Sequence, residues 1–257
     1  MPDDAAYPIP RPGQPEFPRE LRRMFTRIAS QYSLVDHLTT FGMDLLWRPQ
    51  ALWLLQRRRS TPPRRVLDLG CGPGDLTFEL AHRFPEARLV AADFTPAMVR
   101  RASDRVREED PYRVQHRLDL ALSDAQRLPY REGSFDLVTS AFLIRNLSDL
   151  DQGFREMRRV LAPGGNLLAL EVGEPPGALL APLFHSYFDR VVPKVGRLFG
   201  TEEPYRYLSR SLRNLPSRAS LVAGLRAAGF TDVVAHPLTG GIVTTFLGTV
   251  PGGVLNR

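Results

Sequence analysis

The run Asp68-Leu69-Gly70-Cys71-Gly72-Pro73-Gly74, followed by Asp75, closes an apolar stretch with three glycines at alternate positions. Glycine reaches backbone conformations closed to other residues and leaves room for a ligand against the chain. Between a strand and a helix, such a loop cradles a nucleotide. In the dinucleotide pattern Gly-x-Gly-x-x-Gly the last glycine packs the helix on the sheet while the helix N-terminus faces pyrophosphate. Here that position is Asp75, and a carboxylate at the helix start repels pyrophosphate. The loop suits a nucleoside with a cationic end instead. S-adenosylmethionine, with a sulfonium, an ammonium and no phosphate, has that chemistry. Gly70, Gly72 and Gly74, with Pro73 between them, are expected to pass close to its amino-acid and ribose parts, and Asp68 to lie on the ammonium side.

Two further carboxylates extend the pattern. Asp93 ends a second apolar run 19 residues after Gly74, where it can accept hydrogen bonds from both ribose hydroxyls. Phe94 follows it, and Met98 is expected to pack against the adenine ring. Asp124, in Ser123-Asp124-Ala125, is expected to accept from the adenine amino group, with Ala125 and Ala141 completing the wall. A carboxylate at a strand end is often only a cap, and a methionine is often only core. The order and spacing of the four elements carry the reading. No metal is expected.

Strands and helices must place these residues. Short apolar runs at 65–69, 88–93, 117–120, 135–141 and 166–171 read as strands. Helices are expected over about 75–84, after Thr95 with Pro96 in the first turn, and over 149–161, where Leu150, Phe154, Met157 and Leu161 form one stripe. Pro163-Gly164-Gly165 is expected to stop that last helix and turn the chain into the fifth strand. Such alternation requires a doubly wound α/β sheet, mostly parallel and Rossmann-like, and strands at 231–237 and 241–247 after a helix at 219–228 bring it to seven. The proline-rich residues 1–18 read as a disordered arm, and 19–257 as one domain. Within it, 19–60 forms a helical cap, and 174–216 forms a helical insert with Phe184, Tyr187, Phe188, Phe199, Tyr205 and Tyr207 before the last two strands.

The composition, 43% hydrophobic and 24% charged over 257 residues, is that of an ordinary globular protein. Its apolar runs are shorter than the roughly 18 residues that cross a bilayer, and the acidic, proline-rich start does not resemble a secretory signal. With Cys71 as the lone cysteine, a reducing, cytoplasmic setting is expected. The net charge of +6 is carried almost wholly by arginine. The clusters at 57–59 and 64–65 lack interleaved aromatics for base stacking, so no nucleic acid partner is expected.

From about Met24 to Gly248 the chain resembles the ubiquinone/menaquinone biosynthesis C-methyltransferase family. The likeness is carried by the stretch Met24 to Tyr32, Phe41-Gly42 with Trp47-Arg48, Asp124 to Pro129, Phe142-Leu143-Ile144-Arg145-Asn146, Glu156 to Gly165, Pro193-Lys194-Val195-Gly196, Tyr205-Arg206-Tyr207-Leu208, and Leu238 to Val243. The resemblance implies a class I S-adenosylmethionine-dependent methyltransferase. Its substrate would be a polyprenyl quinol, methylated on a ring carbon: demethylmenaquinol to menaquinol, or the benzoquinol of the ubiquinol pathway. Arg145 matches the family's arginine beyond the fourth strand. With a pKa above about 12 it is a poor base, so it is expected to stabilise a developing phenolate and order a water, with Asn146 orienting that water. Tyr32, Phe142, Leu143, Phe184, Tyr187, Phe188 and Tyr205 are the expected substrate residues. Arg190, Lys194 and Arg197 beside the aromatic insert suit peripheral contact with an anionic membrane surface, and a homodimer is the other partnership allowed.

The chain departs from the family pattern in four places. Leu143 stands for a glycine, Phe246 for a histidine, and Ser33 and Asp36 for an aspartate and an asparagine. Two other readings compete: a methyltransferase of another small molecule or phospholipid, and a lipid or quinone carrier with a vestigial cofactor fold.

Overall fold

The computed structural model describes residues 10–109, 114–173, 175–176, 180–192, 194, 197 and 203–252. The short apolar runs form strands β1 (Arg65–Leu69), β2 (Arg88–Asp93), β3 (Leu118–Leu122), β4 (Phe135–Ala141), β5 (Leu161–Val172), β6 (Thr231–Leu238) and β7 (Val243–Thr249). They build one sheet in the order β3-β2-β1-β4-β5-β7-β6. Strands β1 to β5 are parallel, and β7 runs antiparallel to both β5 and β6. This is the doubly wound sheet that the alternation required.

The chain winds outwards in opposite directions from β1 and β4. Ligands bind where strand order reverses in this way, at the carboxyl ends of the central strands. Both the glycine loop and Arg145 follow such ends.

The two sheet faces bury separate cores. Val66, Leu137, Leu168 and Leu170 point to one, with Leu52, Leu55 and Leu80; Leu67, Val138, Leu167 and Ala169 point to the other, with Phe154, Met157 and Leu225. Strand alternation thus sorts neighbours such as Leu167 and Leu168 to opposite sides.

The cap comprises α1 (Phe17–Ile28), α2 (Tyr32–Thr39) and α3 (Asp44–Gln56). Helix α1 begins inside the stretch expected to be an arm, and residues 1–9 lie outside the described ones. Pro18 sits in the first turn, where no N–H is required, and Phe17 is fully buried in a cluster with Leu21, Met24 and Tyr207. That cluster anchors the start of the cap. Helices α4 (Asp75–Arg83), α5 (Pro96–Glu109) and α6 (Leu150–Val160) follow β1, β2 and β4. The insert contains α7 (Leu180–Ser186), a π turn (Tyr187–Val191) and α8 (Glu203–Asn214); α9 (Arg218–Ala227) leads into β6. Among the described residues, no helix is long and apolar enough to cross a membrane.

Strand β5 starts earlier than the Pro-Gly-Gly sequence suggests. Leu161 already pairs with Phe135, a register shift follows, and pairing resumes between Leu137 and Asn166. Pro163-Gly164-Gly165 therefore forms an irregularity inside the strand rather than its start. Reciprocal bonds, Gly164 N–H to the Val250 carbonyl (3.0 Å) and Val250 N–H to the Gly165 carbonyl (2.9 Å), hold it against the end of β7.

Candidate active site

At the end of β1 the chain enters the glycine loop with Gly70 at φ +61°, Gly72 at +55° and Gly74 at +96°, left-handed conformations that glycine adopts without strain. At Gly72 a side chain would point into open space, and the backbone N–H donates to Asp93 Oδ2 (3.0 Å). Asp93 Oδ1 accepts from the Thr95 N–H (2.8 Å). These bonds fix the carboxylate between the loop and the start of α5 while each oxygen keeps a lone pair for a ligand. Burial raises its pKa, and the two backbone donors work against that shift.

Around this carboxylate opens a cleft of about 760 Å3, whose wall includes Gly70, Gly72, Asp93, Phe94, Met98, Asp124, Ala125 and Ala141. These are eight of the eleven expected cofactor residues, brought together from four strand ends. The Asp124 turn is held by α6: Glu156 accepts from the Leu128 N–H (2.7 Å), and Arg159 donates to the carbonyls of Leu128 (3.0 Å) and Tyr130 (2.7 Å). Ser123, next to Asp124, has a buried hydroxyl without a protein partner in this wall. Asp93 and Asp124 are the charged lining residues, and among the described residues no cation joins them. An acidic cleft with an orphaned hydroxyl and an open glycine cradle fits a cationic nucleoside and not a pyrophosphate.

That charge argument replaces the one based on Asp75. Its carboxylate is bound by Arg105 (2.6 Å) and Ser33 (3.0 Å), with Arg48 at 3.7 Å, so it does not set the charge of the cleft. Asp68 is likewise absent from the wall. Its oxygens accept from Thr77 (2.6 Å) and Thr139 (2.8 Å), tying β1 to α4 and β4, and burial lifts its pKa to about 6 against those two bonds. Pro73 and Gly74 shape the loop without lining the cleft.

A second cleft of about 800 Å3 adjoins the first and shares Phe25, Tyr32, Phe142 and Asn146 with it. Arg145 lines this one, on the 3-10 turn Ile144–Asn146 beyond β4. Its guanidinium pairs with Glu171, which also accepts the N–H groups of Arg145 (3.2 Å) and Val172 (3.0 Å). Burial opposes the cation, but Glu171 and the phenol of Tyr32 outweigh it and raise the arginine pKa further. Arg145 is a fixed positive charge.

Asn146 has both ends of its amide engaged. It donates to the Phe142 carbonyl (3.1 Å) and accepts from the Tyr207 hydroxyl (3.0 Å), so it locks the junction between the clefts. Its second N–H and second lone pair stay available for the water-orienting role expected of it. Phe142 has φ +59°, a conformation that costs a non-glycine residue roughly 1–3 kcal/mol. Its N–H bond to the Leu170 carbonyl (2.8 Å) and the Asn146 bond hold it there, with Trp47 edge-on at 6.3 Å.

The other expected substrate residues divide. Tyr32, Phe142 and Phe188 line the second cleft. Leu143 lies in the first, its side chain 2.9 Å from where a Cβ on Gly70 would sit, so this departure from the family pattern falls on the cofactor side. Phe184 packs behind Phe188 with ring centres 4.5 Å apart, and Tyr187 turns away to donate to the Thr39 carbonyl (2.7 Å). Tyr205 is on α8, but its side chain lies outside the described residues, as do Phe199, Pro193, Val195 and Gly196. Residues missed in the sequence include Asp36, Trp47, Tyr207 and Ile242. Tyr207 could have been found in the Tyr-x-Tyr-Leu segment. Phe246, another departure, is core packed across from Ala169.

The site thus joins an acidic nucleoside cleft to a mostly apolar one holding a buried arginine. Residues 17–250 match the ubiE/COQ5 methyltransferase family. The chain belongs to that family, and it is a methyltransferase. It is similar to a demethylmenaquinone methyltransferase of Thermus thermophilus at 40% identity, covering 89% of this chain and 100% of the relative. A ubiquinone/menaquinone biosynthesis C-methyltransferase UbiE of Geobacter sp. is 36% identical over 89% of this chain and 95% of the relative. In fold, a SAM-dependent methyltransferase of Thermotoga maritima matches with a TM-score of 0.61 at 19% identity, over 88% of this chain and 98% of that one. The ubiE/COQ5 match spans the cap, the sheet and the insert, and so takes in both clefts.

Proposed function

We propose that this methyltransferase moves the methyl group of S-adenosylmethionine to a ring carbon of a polyprenyl quinol, a demethylmenaquinol in the first instance. The observation that carries this reading is the junction of the two clefts at Tyr32, Phe142 and Asn146, with Arg145 on the second side. The names of the two relatives support the same substrate.

The cofactor supplies an electrophilic methyl on a sulfonium. Asp93 holds its ribose and Asp124 its adenine amino group, while Phe94 and Met98 enclose the base. In the second cleft the apolar side chains of Met24, Ile28, Val172 and Ile242 give the ring a wall to pack against. A ring carbon becomes nucleophilic as the neighbouring hydroxyl loses its proton. Arg145, held by Glu171, stabilises the charge that develops on that oxygen. Alignment of ring and methyl across the shared wall does the rest.

Purified protein, labelled S-adenosylmethionine and separate demethylmenaquinol and benzoquinol lipids test this reading. Labelled menaquinol is the expected product. Methylation of a phospholipid with neither quinol labelled would overturn the substrate, and failure to bind the cofactor would overturn the whole assignment.

The quinol's tail lies in lipid, and the cap offers a surface for it. Leu34, Leu38, Phe41, Leu45 and Leu46 are all exposed, Phe41 at 80%, along α2, its following turn and α3. The other side of α2 and that turn lines the second cleft with Asp36, Thr39 and Thr40. An apolar outer face over a polar inner one fits a bilayer covering the cleft mouth. Arg190, Lys194 and Arg197, where membrane contact was expected, are exposed on the insert. Phe41→Ser with Leu45→Ser should release the protein from anionic phospholipid vesicles in a sedimentation assay and leave cofactor affinity unchanged. Wild-type protein that ignores vesicles but elutes as a dimer would reassign the face to a second copy of the chain.

A further inference from the structure

A quinol ring carbon attacks the methyl group only as the neighbouring hydroxyl gives up its proton, and the arginine beside the ring cannot take it. The second cleft contains one other charged side chain among its described lining residues, the carboxylate of Asp36. The neighbouring acids are otherwise occupied. Asp44 is fully buried beneath Arg48 (2.7 Å) and His37 (2.6 Å), Glu171 is paired with Arg145, and Asp75 is bound by Arg105. Asp36 keeps 20% of its side chain accessible.

We propose that Asp36 accepts the hydroxyl proton of the quinol whose ring is methylated. The proposal rests on the quinol reading above. Asp36 lies on α2, one turn beyond Tyr32, and lines the cleft that also holds Arg145 and Phe142. Arg48 on α3 touches it at 3.2 Å but is divided among Asp36, Asp44 and Asp75. Three carboxylates therefore face two guanidiniums, Arg48 and Arg105, with His37 bonded to Asp44 on the far side. The groups facing Asp36 are Arg48 and Asp44 from α3, Asp75 from α4, Arg145 from the 3-10 turn, and Tyr32 from its own helix. Burial raises the Asp36 pKa to about 6 although Arg48 lowers it, so at neutral pH the group is ionised yet basic enough to take up a proton.

The step balances as follows. The hydroxyl proton passes to an Asp36 oxygen, and the oxygen's electron pair moves into the ring. The ring carbon bonds to the methyl group as the carbon–sulfur bond breaks, leaving its pair on sulfur. The hydrogen on that ring carbon then leaves as a proton to solvent, its bonding pair restores the aromatic ring, and Asp36 returns its proton to the ring oxygen. One proton is released overall.

The test is the pH profile of kcat/KM for full-length protein with S-adenosylmethionine and demethylmenaquinol in mixed micelles, beside cofactor affinity and thermal stability. Wild-type activity should rise through about pH 6 and then level off. Asp36→Asn keeps a hydrogen-bond acceptor for Arg48 and should retain cofactor affinity. Its kcat/KM should fall about 100-fold at neutral pH, with the rise near pH 6 gone and the deficit shrinking in alkali as the substrate's own hydroxyl ionises near pH 10. Asp36→Glu should regain a rising limb. An Asp36→Asn enzyme with the wild-type limb and a rate within about threefold of wild type would overturn the proposal while leaving the quinol reading intact. So would a wild-type profile without that limb, even if the asparagine variant does not fold. Wild-type protein that binds cofactor but methylates no quinol overturns both.

Discussion

Replacing Arg145 by alanine is expected to lower kcat by roughly 100- to 1,000-fold, the usual effect of removing one preorganised donor to a developing oxyanion. The same substitution should also destabilise the protein. Glu171 is 1% exposed, and without the guanidinium its charge keeps, among the described residues, the N–H groups of Arg145 and Val172. Breaking a buried pair from one side costs about 3–5 kcal/mol, which in a chain of this size lowers the melting temperature by roughly 6–20 °C. A loss of activity in Arg145→Ala alone therefore mixes folding with chemistry. Adding Glu171→Gln removes the stranded charge and separates them. The double variant should recover most of the lost melting temperature and none of the lost turnover. A stable double variant that turns over like wild type would remove Arg145 from the chemistry and leave it a structural ion pair.

What the sequence could reveal followed from how local each feature is. The glycine loop, Asp93 and the Asp124 turn sit directly after strands whose apolar runs are plain, so their place at one sheet edge follows from topology. Asp68 and Asp75 lie in the same stretch, but their roles depend on Thr139, Arg105 and Ser33, which are distant in sequence and meet them only in the fold. Charge at a position could be read, but not the direction in which it points. The insert shows the same limit. Its aromatic composition suggested a substrate wall, yet of Phe184, Tyr187 and Phe188 only Phe188 reaches the cleft, since Phe184 packs behind it and Tyr187 bonds the Thr39 carbonyl. Tyr207, two residues beyond the expected Tyr205, both lines the cleft and bonds Asn146. The cap residue Asp36 was hidden for a further reason: α2 turns Leu34 and Leu38 outward while Asp36 and Thr39 line the cleft, so the usual rule of apolar residues inward misassigns its faces.

Asp93→Ala should weaken S-adenosylmethionine binding by at least about 100-fold in calorimetry, more than any other single change in the cofactor cleft. On the proposed reading the carboxylate accepts both ribose hydroxyls, and each charge-assisted bond contributes about 1.5–3 kcal/mol, so losing two costs more than the roughly 2.8 kcal/mol that corresponds to 100-fold. The variant also strands the N–H groups of Gly72 and Thr95, which now end on Asp93. Loop disorder could thus imitate loss of ribose contact, and the ligand rather than the protein must separate them. A cofactor analogue lacking one ribose hydroxyl should bind wild type more weakly than the parent, yet bind Asp93→Ala as well as the parent does, because the partner of that hydroxyl is already gone. If the analogue loses as much affinity on the variant as on wild type, Asp93 shapes the loop and does not touch the ribose. Asp93→Asn should fare little better than alanine. Its amide oxygen can accept from one of the two backbone N–H groups, while its NH2 faces the other, donor against donor. Burial raises the Asp93 pKa, so wild-type affinity should fall as the pH is lowered into the range where that carboxyl protonates, and Asp93→Ala should lose this dependence.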